Sequence, residues 1–224
     1  MDWQAILLSV ELAAATTAVL LLLGLPLAYW LAHTRWRGRA LVEAVVALPI
    51  VLPPTVLGFY VLVALGPASP VGAAWERLFG EGLVFTFEGL LIASVLYSLP
   101  FALQPFASAF ATLDRRLEEA AWCLGASRLA TFFKVSLPLA WPGVLTGIVL
   151  SFAHTLGEFG VVLMIGGNIP GETRTVSIAI YDEVQALDYA AAGRTSAILL
   201  AFSFAVLLAT YALQRRFVQA WPVR

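Results

Sequence analysis

The chain has 224 residues, of which 61% are hydrophobic and 12% charged, and its mean hydropathy is +0.89. Soluble domains carry about 25% charged residues, so a disordered chain and an ordinary soluble enzyme are excluded. A net charge of −1, from 13 basic and 14 acidic residues, offers no basic surface for nucleic acid. One cysteine, Cys123, excludes a disulfide framework, and two histidines leave too little for a metal centre.

A bilayer core about 30 Å thick needs about 20 helical residues. Five runs reach that length: 6–31, 41–65, 89–110, 141–165 and 195–213. The expected fold is therefore an all-α integral membrane protein with five transmembrane helices, forming one membrane domain over 1–224. The first run is read as a retained span, because Asp2 and Glu11 stand where a signal peptide carries Lys or Arg.

The second run contains Pro49, Pro53 and Pro54. Each proline removes a helix donor and frees a carbonyl. Free carbonyls are costly against lipid, so a broken helix facing protein or a water-filled path is expected. Pro53, Pro54 and Thr55 are therefore candidate pathway residues. The connection 66–88 that follows, rich in Gly and Pro, reads as an outer loop.

Between the third and fourth runs lies 111–140, the least hydrophobic long stretch. Glu118 to Leu124 reads as a short helix that Gly125 ends as a C′ residue. Ser127 can cap a second short helix with Leu129, Phe132 and Phe133 as its apolar stripe. Pro138 is expected to stop that helix before the fourth span. Ala120, Ala121 and Gly125 are small enough for close approach by a partner, so this elbow reads as a docking element.

The fourth run carries Gly143-x-x-x-Gly147, a packing motif that fits a dimer seam. It also carries His154 and Glu158, four residues apart, the only ionisable residues well inside it. Ionisable groups at depth are functional candidates. Both are expected at a gate, with Glu158 paired to His154 or to Arg174. The outer loop 166–194 precedes the fifth run.

Basic residues set the orientation. Arg35, Arg37, Arg39, Arg115, Arg116, Arg128, Lys134, Arg215, Arg216 and Arg224 fall on one side, against Arg77, Arg174 and Arg194 on the other. The first side is read as cytoplasmic, with the N-terminus out and the C-terminus in. Trp3, Trp30, Trp36, Trp141 and Trp221 lie near span ends, as interfacial anchors do.

Glu119-Ala120-Ala121, three residues, Gly125, nine residues, Val135, one residue and Leu137-Pro138 resemble the signature of bacterial ABC-importer permeases. The run from Leu48 to Gly58, the run from Thr155 to Gly160, and the run from Gly167 to Thr175 are similar to molybdate permeases. The resemblance implies a non-catalytic subunit of an ATP-driven importer of a tetrahedral oxyanion, molybdate foremost. It implies that the elbow is a coupling helix, with Glu118, Glu119, Ala120, Ala121, Gly125, Ala126 and Ser127 at an ATPase interface. It implies two ATP-binding subunits that hold ATP and Mg, so that this chain needs no cofactor. It also implies a second copy of this chain, surrounding lipid, and an extracytoplasmic oxyanion-binding protein, in a multi-pass bacterial or archaeal inner membrane. Asn168 and Arg174 are the candidates for contact with that binding protein. No G-x-x-x-x-G-K-[ST] occurs in the chain. Tungstate or sulfate permeases are the alternative within the class, and a stand-alone oligomeric channel is the alternative outside it.

Overall fold

The computed structural model describes residues 2–220, with side chains as far as Ala212. Trp221 and Arg224, and the side chains of Arg215 and Arg216, lie outside the described residues. Among the described residues all regular structure is helical.

Helix α1, Trp3–His33, begins where the Asp2 carboxylate accepts the Ala5 N–H at 3.0 Å. Its 31 residues span about 46 Å at about 1.5 Å each, more than a bilayer core. The second apolar run is not one rod. Helices α2 (Arg39–Val51) and α3 (Pro54–Leu65) meet at 114°. The cause is local: Leu52 precedes a proline and is extended (ψ 137°), and neither Pro53 nor Pro54 has an N–H to continue the ladder.

Helix α5, Phe87–Ala111, packs along α1 in the same direction. Tyr29 meets Phe110 at 5.4 Å at one end, and Leu12 and Leu90 share a buried cluster at the other. The chain returns from the end of α1 to the start of α5 through the bent α2–α3 pair and the helix Pro70–Phe79. Among the described residues four helices are long and apolar enough to cross a membrane alone, or five if the bent pair is one span.

Both outer connections hold a helix that the sequence reading left as loop. Helix α4 (Pro70–Phe79) is capped by Ser69, which accepts the Gly72 N–H at 2.8 Å. Helix α10 (Val176–Gln185) lies in the second connection, where its backbone at Val176 donates to Ser9 of α1.

The elbow is formed by α6 (Arg115–Cys123) and α7 (Arg128–Thr131). Pro138 does not stop the second helix, contrary to expectation. A π-helical turn, Phe132–Ser136, widens the coil and hands the chain to α8 (Leu137–Gly157) as one apolar helix of 30 residues. The wider turn removes the clash between the proline ring and the preceding carbonyls. The fourth span, expected to run unbroken over 141–165, instead ends at Gly157 and restarts as α9, Gly160–Gly166. The last helix, α11, is Tyr189–Ala220.

Gly143 and Gly147 form a seam inside the chain, rather than one between copies. A β-carbon on Gly147 would sit 2.8 Å from the Ala102 carbonyl and inside the Phe106 ring, and one on Gly143 would meet Ala109 of α5. Phe106 is fully buried. Gly147→Val should therefore force α5 and α8 apart, at a cost above the usual 1–3 kcal/mol of overpacking. Little folded protein should be recovered from membranes in detergent extraction and gel filtration. A normal yield would show that the seam is loose.

Candidate functional site

The breaks in the two interrupted spans face one another. A β-carbon on Gly160 would lie 2.7 Å from Pro54 Cβ, and one on Gly58 would lie 2.8 Å from Met164 Cβ. Only glycine at these positions lets α3 and α9 approach so closely. Beside the contact is a cavity of about 610 Å³ whose wall includes Pro54, Thr55, Tyr97, His154, Glu158 and Gly160. Four of the five candidate pathway residues are thus brought together. Pro53 is at the break, exposed, and does not line the cavity.

His154 is held by α5. Its Nδ1 shares a hydrogen bond with Ser98 Oγ at 2.9 Å, Ser98 meets Thr155 Oγ1 at 2.8 Å, and the ring stacks on Phe101 at 3.8 Å. Glu158 does not pair with it. Helix α8 ends at Gly157 and Glu158 is extended (φ −68°, ψ 138°), so the expected i,i+4 relation does not exist. Nor does Glu158 pair with Arg174, which is occupied elsewhere. Glu158 is 5% exposed, and neither carboxylate oxygen makes a hydrogen bond among the described residues. The Ser94 hydroxyl, likewise buried and unbonded, faces it from α5.

The cavity wall holds hydroxyls, one imidazole and one carboxyl, but no lysine or arginine. The first residues of α3, Pro54 and Thr55, open onto it. A helix N-terminus favours an anion weakly, by about 0.3–1 kcal/mol. Tyr97, Ser94 and Ser98 were missed by the sequence reading. Ser94 and Ser98, four apart within an apolar span, were the visible signal.

At the opposite end of α8, the elbow ends α6 with a hydrogen-bonded reversal. The Ala126 N–H donates to the Ala121 carbonyl at 3.0 Å, and the Gly125 N–H to Trp122 at 2.9 Å, with Gly125 at φ +86°. This is the Schellman arrangement, for which glycine is suited. Ser127 caps α7 by accepting the Ala130 N–H at 3.2 Å. Glu119, Ala120, Gly125 and Ser127 are exposed, and Ala121 and Ala126 half-buried. Glu118 stands apart from the other six candidate interface residues. It is buried, with its carboxylate against Tyr29, His33 and Ser136, so it faces the bundle and not a partner. A helical turn forces this split, because neighbouring residues point about 100° apart.

On the far side, Arg174 Nε donates to Asn168 Oδ1 at 2.6 Å, and the guanidinium lies 3.8 Å from Asp2 and 3.7 Å from Asp182. Asn168 in turn donates to Asp182 at 2.6 Å. The two predicted docking residues thus share one surface cluster that ties the loop to the start of α1 and to α10.

Paired broken helices that meet at a cavity, with an elbow of small exposed residues at the other end of α8, fit the membrane component of a transporter. The sequence pattern of binding-protein-dependent transport system inner membrane components matches residues 24–221, and the chain belongs to that family of multi-pass inner-membrane proteins. The chain is 53% identical over 214 residues to the molybdenum transport system permease protein ModB of Azotobacter vinelandii, covering 96% of this chain and 95% of that one. It is 36% identical over 194 residues to the sulfate transport system permease protein CysT of Escherichia coli, covering 87% and 70%. Its fold is similar to that of a bacterial alginate ABC transporter solved with a pentasaccharide-bound periplasmic protein, with a TM-score of 0.72, 20% identity, and 95% and 78% of the two chains covered.

Proposed function

We propose that the chain is the permease subunit of an ATP-driven importer for a tetrahedral oxyanion, molybdate foremost. It works as a homodimer with two ATP-binding subunits on the cytoplasmic side and an oxyanion-binding protein outside. The observation that carries this reading is the elbow: its outward row, Glu119, Ala120 and Gly125, is exposed at the end of the bundle. The arginines near α2 and on the elbow support a cytoplasmic location for that end. The parallel course of α1 and α5 supports five crossings with the N-terminus out.

ATP binding draws the two elbows together, and the bundles rock so that the cavity at Thr55, His154 and Glu158 faces alternate sides. The anion meets hydroxyls and helix ends without a fixed cation and is not trapped. Recognition is left to the binding protein, which is proposed to dock near Asn168 and Arg174. The chain does no chemistry of its own; ATP and Mg belong to its partners.

The test is uptake of labelled molybdate by proteoliposomes holding the chain, the ATPase and the binding protein. Uptake should require ATP and all three components, and should be competed by tungstate more strongly than by sulfate. Preference for sulfate would favour the second reading, a sulfate permease, for which the likeness to CysT speaks. Ion conduction by the chain alone would sink the proposal in favour of a channel.

A further inference from the structure

We infer that Glu118 is a positioning residue that clamps the elbow to the first span, so that a load on the elbow moves α1 together with α8. The inference rests on the coupling role proposed above and assigns the joint through which that coupling passes.

The apolar residues of α6 do not hold it to the bundle. Leu117 is 48% exposed and Trp122 39%, and Leu124 just beyond is 89% exposed. Glu118 is the one buried residue of the helix. An amphipathic helix normally anchors through its apolar stripe; here the inward anchor is a carboxylate.

That carboxylate has a full set of partners from two other elements. Oε1 accepts from Tyr29 Oη of α1 at 3.1 Å and from Ser136 Oγ of the π-helical turn, and Oε2 faces His33 Nε2 of α1 at 3.0 Å. His33 Nδ1 faces the Tyr29 carbonyl at 2.9 Å. Both ring nitrogens therefore face oxygen, and the Glu118 carboxylate is the acceptor on which Tyr29, Ser136 and His33 converge. Hydrogen bonds of this charged kind are about twice as strong as neutral ones. The Tyr29 ring is wedged edge-on between Phe110 at 5.4 Å and Phe132 at 5.0 Å, so the phenol is aimed from a packed base.

Three elements thus converge on one side chain: α1, α6 and the entry to α8. The polypeptide itself joins α6 only to its chain neighbours α5 and α7. Without Glu118, a pull on the exposed row of α6 reaches α1 only indirectly. With it, the first span moves as part of the same lever. Partly satisfied polar clusters are unstable, and this one is fully satisfied, as a fixed joint requires.

The test uses the whole complex in liposomes and reads anions imported per ATP hydrolysed. Glu118→Gln keeps the side-chain shape but loses the charge opposite His33. The ratio should fall about tenfold, a change within reach of a residue that transmits coupling, while the ATPase still co-purifies and still hydrolyses ATP. A merely structural role would lower import and hydrolysis together and leave the ratio unchanged, and that result overturns the inference. A second variant guards against misfolding. In a Cys123→Ser background, His33→Cys with Glu118→Cys joined by a short thiol crosslinker should restore the ratio lost in the unlinked form. A linked protein whose ratio stays low overturns the inference as well. If the unmodified complex imports without an ATPase, the coupling reading itself has failed, and the clamp falls with it.

Discussion

Glu158→Leu is expected to make the protein harder to unfold and poor at transport. Among the described residues the carboxylate is buried with no hydrogen bond to either oxygen, only the Ser94 hydroxyl facing it, and no lysine or arginine lining its cavity. Burying a polar group without a partner costs several kcal/mol. Replacing such a group by an apolar one of similar size removes that cost and can stabilise the fold. A conserved shape with less penalty should therefore raise the melting temperature in detergent. Uptake should fall at least about tenfold, because stabilising a functional site tends to remove the property it was strained to provide. Glu158→Gln keeps shape and polarity and should retain most uptake. Normal transport by the leucine variant would remove Glu158 from the pathway. A lower melting temperature would show that its carboxyl has a partner.

Gly125→Val is expected to release the ATPase subunit from an otherwise folded permease. A β-carbon at Gly125 would meet nothing within 4 Å, so the obstacle is not a clash. It is the backbone, held at φ +86° by the turn that ends α6. L-residues other than Gly, Asn and Asp pay roughly 1–2 kcal/mol there, and a β-branched residue is the worst choice. The valine variant should unwind the last turn of α6 and displace Glu119 and Ala120. Gly125→Asn should keep most coupling, since asparagine tolerates this conformation. Glu119→Lys, which reverses an exposed charge without touching the fold, should weaken co-purification at least about tenfold if a complementary charge lies opposite. The readouts are pull-down of the ATPase and ATP-driven uptake. Intact assembly by both Gly125→Val and Glu119→Lys would place the docking surface elsewhere.

The elbow was legible because its signals are local. A small-residue row, a glycine at the C′ position and a serine cap all act within a few residues, and the structure bears out the turn at Gly125 and the cap at Ser127. The break in the second apolar run was legible for the same reason: prolines act on the chain beside them. The break after Gly157 was not legible, since no proline marks it. Periodicity therefore placed His154 and Glu158 on one face, where an extended residue in fact separates them. The inward turn of Glu118 was hidden too. Its partners Tyr29 and His33 lie 89 and 85 residues earlier.

The sequence by itself determined the class of the molecule: long apolar runs marked an all-helical membrane protein, and a glycine, a cap and small residues marked the elbow. Those properties follow from solvent and from backbone chemistry that each segment carries alone. Only the tertiary structure decided that Gly143 and Gly147 seal an internal seam, that two broken spans meet at one cavity, and that one carboxylate of the elbow faces inward. Each depends on which distant surfaces touch, and that is settled by packing across the bundle rather than by any single stretch of chain.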